Sequence, residues 1–103
     1  MTPADWLRTM PQEDRWYVLR LYITGMSARS TEAVATVKRI CEERLPNCYE
    51  LDIIDLYQTP SRAREDQIVA TPTLVRQKPS PCRRLIGDLG NIDRVLGALI
   101  VAR

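Results

Sequence analysis

Histidine is absent from the 103-residue chain. With it go the usual general base near neutral pH, the commonest neutral metal ligand and the histidine-activated nucleophile, so metallohydrolase and catalytic-triad chemistry have no foothold here. Cysteine is scarce: Cys41, Cys48 and Cys82 stand 7 and 34 positions apart, an odd set with neither a CxxC pair nor the spacing of a zinc ladder. No metal, cofactor or redox motif follows from them. Long apolar runs are missing too. The stretches Leu19–Ile23 and Ile92–Val101 are interrupted by charge or fall far short of the ~20 residues that a membrane span needs. Met1-Thr2-Pro3-Ala4-Asp5 has neither the basic nor the apolar region of a secretory signal, so a cytoplasmic location is expected. A formal charge of +2 is too mild to argue for nucleic acid.

What is present is an ordinary globular composition, 45% apolar and 27% charged, with no low-complexity block or repeat and room for one small core. Residues 1–16 mix two prolines with acids, arginines, Trp6 and Trp16 and show no sustained period. They read as a flexible arm with a short amphipathic turn at Ala4–Met10, ahead of a domain over 17–103.

Tyr17 to Thr24 is aromatic and apolar and stops at Gly25, which predicts a strand. Leu19, Leu21 and Ile23 share one face, and the apolar Val18 and Tyr22 opposite place the strand inside its sheet. Ser30 is expected to cap a helix carrying Val34, Val37, Ile40, Cys41 and Leu45 at helical spacing, with Glu32 in its first turn and Arg44 in its last. Cys41 lies on that apolar face, where a free thiol acts as a small hydrophobe; Cys48 and Cys82 look incidental. A second strand over Tyr49–Tyr57 completes a βαβ unit, whose crossover demands parallel pairing.

Beyond it, Thr59-Pro60 predicts a cap and first turn for a helix over Ser61–Val69. Thr73–Arg76 and Arg83–Ile86 read as short strands joined through Gln77-Lys78-Pro79-Ser80-Pro81. Asn91 caps a last helix with Ile92, Val95, Leu96, Leu99 and Ile100 on one face. The order is βαβαββα.

Charge divides the chain. From Gln67 to Gly87 there are four bases, Arg76, Lys78, Arg83 and Arg84, and no acid, whereas Glu42 to Asp55 holds five acids and one base. Such a basic segment is either a solvated surface or an edge that meets an acidic partner; it contains no aromatic residue on which bases could stack. Thr71-Pro72-Thr73, directly before a strand, resembles the cis-proline loop of thioredoxin-like proteins. Thioredoxin chemistry needs a low-pKa cysteine at the first helix's N-terminus, yet Gly25-Met26-Ser27-Ala28-Arg29-Ser30 has none. The expectation is a thioredoxin-like scaffold without thioredoxin activity.

The segments Tyr17–Gly25, Tyr49–Leu56, Glu65–Leu74 (with Ala70-Thr71-Pro72-Thr73-Leu74) and Arg83-Arg84-Leu85-Ile86-Gly87-Asp88-Leu89 resemble, in order and spacing, the KaiB family of bacterial clock proteins over roughly residues 17–101. The resemblance implies a single α/β domain of the thioredoxin-like superfamily with a four-stranded mixed sheet and flanking helices. It also implies a metamorphic chain: a βαββααβ ground state that assembles as a dimer or tetramer, and a βαβαββα monomer that binds partners. The implied role is a non-enzymatic regulator of a KaiC-like ATPase ring, with KaiA or a histidine kinase as further partners. Arg76, Lys78, Arg83, Arg84 and Gln67 are then candidates for partner binding, and Thr71, Pro72, Gly87, Asp88 and Gly97 for the fold switch, with Pro72 expected to be cis in the binding form. Pro79-Ser80-Pro81 breaks the family's proline run and the acidic tail of clock members is missing. These departures weigh against a full oscillator role, and the arginine-rich composition and 16-residue arm resemble family members that serve stress adaptation. The alternatives are a stand-alone adaptor or sensor domain docking a histidine kinase, and a thiol redox protein.

Overall fold

A computed structural model describes residues 16–99. Of the expected arm only Trp16 is described, and it is exposed; the rest of the arm, its turn at 4–10 and Ile100 lie outside the described residues. The elements are β1 (Tyr17–Ile23), α1 (Ala28–Arg44), β2 (Tyr49–Asp55), α2 (Ser61–Glu65), β3 (Thr73–Lys78), β4 (Arg83–Ile86) and α3 (Ile92–Leu99). Their order is the expected βαβαββα. The sheet runs β2-β1-β3-β4, with β2 parallel to β1, β3 antiparallel to β1 and β4 antiparallel to β3.

The alternation of β1 explains the layers. Tyr17, Leu19, Leu21 and Ile23 face the larger core with Ala33, Val37, Ile40, Cys41 and Leu45 of the α1 region, and with Leu74, Leu89, Val95 and Leu99. Tyr22 points the other way, into a smaller cluster with Ile54, Leu56, Ile68 and Val75, against which Ala63 of α2 packs. A strand lined by apolar residues on both faces belongs inside a sheet, and β1 lies between β2 and β3.

Several boundaries differ from the sequence expectation, β1 among them, which ends at Ile23 rather than Thr24. The cap of α1 is Ser27, whose Oγ accepts from the Ser30 backbone N–H at 3.2 Å; Ser30 is buried inside the first turn, and Glu32 falls beyond that turn. Both serines suit a cap chemically, and packing decides between them. Helix α2 stops at Glu65 rather than Val69, because Gln67 adopts φ 56°, where a right-handed helix cannot continue. Its start carries no side-chain cap, since the Thr59 hydroxyl donates to the Asp55 carbonyl at 3.2 Å instead. Strand β2 ends at Asp55, whose carboxylate accepts the Gly25 and Tyr57 N–H groups at 3.0 and 2.9 Å, and Gly25 meets this turn with φ 64°, a conformation that favours glycine. Strand β3 continues to Lys78, pairing with Val18 across a register shift. The Asn91 cap of α3 is as expected, its Oδ1 accepting from the Arg94 N–H at 3.1 Å.

Candidate functional site

The C-terminal ends of β1, β2 and β4, the start of β3 and the N-terminus of α1 meet at one end of the sheet. The Thr71–Pro72 bond there is cis, as are the bonds preceding Pro79 and Pro81. The Pro72 carbonyl accepts from Gly87 N–H at 3.2 Å, and Thr71 and Thr24 share a hydroxyl hydrogen bond of 3.0 Å. Thr71, Pro72, Gly87 and Asp88 are thus gathered into one loop cluster, with Asp88 accepting the Gly90 N–H at 3.1 Å. Gly97 stands apart on α3, exposed, with open space where a Cβ would sit.

Beside that cluster, where a thioredoxin carries its cysteines, Ser27 and Ser30 face each other. The Ser27 hydroxyl donates to Ser30 Oγ at 3.0 Å, and the Thr24 N–H reaches Ser30 Oγ at 3.4 Å. The pair knots the helix start to β1 with neutral hydroxyls. The thiols lie elsewhere: burial pushes Cys41 up to about 12 and raises Cys48, which keeps both protonated and unreactive near neutral pH, while Cys82 is exposed in the β3–β4 connection. Among the described residues no group of three or more acids and cysteines could hold a metal.

The basic segment divides. Arg76 is 4% exposed and turned inward, because its β3 position faces the larger core. Its Nη1 donates to the Leu99 carbonyl at 3.1 Å and its Nη2 to the Pro81 carbonyl at 2.8 Å, while Nε has no partner. The expectation that Arg76 presents its charge to a partner is corrected for this fold: it ties the last turn of α3 to the β3–β4 connection, a favourable place for a cation. Burial lowers its pKa from the ordinary arginine value. Lys78, Arg83 and Arg84 are exposed. Arg84 donates to the Asp66 and Gln67 carbonyls at 2.7 and 2.8 Å, which brings two of the candidate partner-binding residues, Gln67 and Arg84, together.

Sequence reasoning missed the network beneath this pair. Tyr22 OH donates to Asp66 Oδ2 at 2.6 Å and Arg62 Nε to the same oxygen at 3.1 Å, with Arg20 Nη1 at 4.0 Å. The Tyr22 hydroxyl, followed by Arg62 and Arg20, holds the Asp66 carboxyl below the usual range against the opposing pull of burial; burial and the bond to Asp66 raise Tyr22. Forty-four positions separate Tyr22 from Asp66, so no local pattern announces the contact. Also missed were the apolar side chains exposed at the cis-proline end, Met26 at 87%, Tyr57 at 75% and Val69 at 89%. Position alone gave no signal for them, since Leu56 and Ile68, equally close to strand ends, are buried.

Comparison with known proteins agrees with this geometry. The description of the KaiB domain matches residues 20–100. The chain is 52% identical over 79 residues to the circadian clock protein KaiB3 of Synechocystis sp., covering 77% of this chain and 78% of that one. It is 45% identical over 80 residues to the circadian clock oscillator protein KaiB of Microcystis aeruginosa, covering 78% and 77%. Among solved structures, the N-terminal domain of Synechococcus elongatus SasA superposes with TM-score 0.66 at 23% identity, over 80% of this chain and 77% of that one. Mitochondrial thioredoxin 3 of Saccharomyces cerevisiae gives 0.66 at 14% identity, over 92% and 85%. The fold is thioredoxin-like, and the chain belongs to the KaiB family of circadian clock proteins.

Proposed function

We propose that this protein is a non-enzymatic regulator that docks on a KaiC-like ATPase ring and modulates its phosphorylation-dependent signalling, in circadian timing or in stress adaptation. The observation that supports the reading most is the pair of mutually bonded serines, Ser27 and Ser30, at the thiol position of a thioredoxin-like fold: the scaffold keeps its binding end and lacks the nucleophile. Lys78, Arg83, Arg84 and Gln67 form the docking surface, with Arg76 supporting it from beneath. Thr71, Pro72, Gly87, Asp88 and Gly97 belong to the part of the chain that rearranges between this βαβαββα form and a βαββααβ assembly of two or four copies. KaiA or a histidine kinase are the further partners, the setting is the cytoplasm, and the regulator uses no cofactor.

The test is a titration of a KaiC-like ring with the wild-type protein and with the double variant Arg83→Glu, Arg84→Glu at low and high salt. The variant is expected to bind about tenfold more weakly, with a shallower salt dependence. Equal affinity at low salt would reduce the basic edge to a solvated surface. A wild-type protein that ignores the ring and binds a histidine kinase would replace the reading with the adaptor alternative.

A further inference from the structure

We propose that residues 6–10 of this chain add to the four-stranded sheet as a further strand antiparallel to β2, closing its free edge and the apolar groove beside it. The Cys48 carbonyl accepts from the Tyr17 N–H at 2.9 Å and the Leu56 N–H donates to the Ile23 carbonyl at 2.8 Å, so the even-numbered residues between them bond to β1. Alternation turns the N–H and C=O groups of Leu51 and Ile53 outward, where no described strand meets them. The groove opens on the same edge. It measures about 370 Å³ and is lined by Ile23, Met26, Val34, Ala35 and Ile53 among others, with Ile53 38% exposed.

One register fits both faces of that edge. Setting Leu7 opposite Ile53 places Trp6 opposite Ile54, Arg8 opposite Asp52, Thr9 opposite Leu51 and Met10 opposite Glu50. Leu7 and Thr9 then exchange backbone hydrogen bonds with the two outward-turned residues. Leu51 and Ile53 face the side of the sheet that holds α1, Asp52 and Ile54 the side that holds α2. Leu7 therefore enters the groove over Ile53, while Arg8 meets Asp52 on the opposite face. Asp52 is exposed and has no ion pair among the described residues, its β1 neighbour Arg20 leaning instead to Asp66 at 4.0 Å. A slip of one residue would set Arg8 against Leu51 or Ile53 and reverse every face.

Both ends of the added strand follow from its neighbours. Pro11 comes directly after Met10 and has no N–H to donate, and Asp5 would meet Asp55, whose carboxylate is already engaged by the Gly25 and Tyr57 N–H groups. The connection is long enough. Tyr17 enters β1 beside Cys48 and Tyr49, so the preceding chain has only to pass the start of β2, two strand spacings or ~10 Å, to come alongside Glu50 from outside. Residues 11–16 reach up to ~20 Å, and Trp16, where the described chain begins, is 46% exposed. Tethering gives the contact a high effective concentration. The arm thereby competes with any outside strand that seeks the β2 edge.

Amide exchange of the whole chain tests the proposal at Leu51 and Ile53. Their N–H groups should be protected in the wild type and exchange about tenfold faster in Leu7→Asp. Arg8→Asp should speed them about threefold, and the double variant Arg8→Asp, Asp52→Arg should return them to the wild-type rate. Glu50 and Ile54, whose N–H groups bond to β1, should keep their rates throughout, which separates release of the edge from loss of the fold. Trp16→Phe leaves Trp6 as the sole tryptophan; its fluorescence should be shielded from acrylamide and lose that shielding when Leu7→Asp is added. Open-edge exchange at Leu51 and Ile53 in the wild type, protection indifferent to Leu7→Asp and Arg8→Asp, or a fully quenched Trp6 overturns the proposal. So does protection that grows with protein concentration together with sedimenting mass, which would give the edge to a second copy.

Discussion

The two halves of the domain are held by different forces. From β1 to β2 the chain forms two seven-residue strands around a seventeen-residue helix, and most of the larger core comes from this half: Tyr17, Leu19, Leu21, Ile23, Ala33, Val37, Ile40, Cys41 and Leu45. From α2 onward the elements have five, six, four and eight residues and supply Leu74, Leu89, Val95 and Leu99. There, arginine side chains reach backbone carbonyls across elements: Arg76 to the end of α3, Arg84 to the turn after α2 and Arg94 to the end of β4. Apolar packing is unspecific in direction but hard to exchange piecemeal, whereas a side-chain hydrogen bond contributes only ~0.5–1.5 kcal/mol net, or ~1.5–3 for a charged donor. The first half is held mainly by apolar packing, and the second leans more on single side-chain hydrogen bonds.

The largest expected effect breaks the scaffold. Leu21→Ala removes a fully buried side chain from the central strand and should cost about 2–5 kcal/mol, with both halves losing amide-exchange protection together in denaturant and exchange measurements. Arg76→Ala should cost about 2–3 kcal/mol, because buried carbonyls lose a charged donor. Here protection should fall first in β3, β4 and α3, while β1, α1 and β2 keep theirs. Simultaneous loss in both halves would erase the distinction.

The second half was only partly legible in the sequence. The edges of β4 and the Asn91 cap were readable because each rests on local chemistry, an apolar pair flanked by turns and an amide side chain at a helix start. The burial of Arg76 was not: its charge suggested a surface, and only the pairing of β3 with β1 turns it inward. The contraction of α2 depends on the single φ of Gln67. In the first half the errors lay at element ends, the choice of serine that caps α1 and the close of β1 at Ile23 and of β2 at Asp55 rather than at Thr24 and Tyr57, since the apolar period of α1 fixes everything after its first turn.

Tyr22→Phe sharpens the comparison at the seam between the halves. It should cost about 1 kcal/mol and raise the Asp66 pKa toward the ordinary value. Asp66 titrates below that value in the folded state, so its contribution is present above the ordinary carboxylate pKa and lost as pH falls through its lowered one. A denaturant series from neutral to acid pH should show the wild type losing that contribution and the variant losing less. The smallest effect runs in the opposite direction: Gly97→Ala, with nothing within 4 Å of the new methyl group, should stabilise α3 by about 0.8–1 kcal/mol. In the proposed two-state chain this favours the monomeric form about fivefold, measured as the ratio of monomer to tetramer.

Amide exchange of the protein alone and bound to a KaiC-like ring tests most directly the claim that the second half carries the function. The account predicts new protection in residues 57–99, centred on Gln67 and the β3–β4 connection, with β1, α1 and β2 unchanged. New protection confined to β1, α1 and β2 would contradict it.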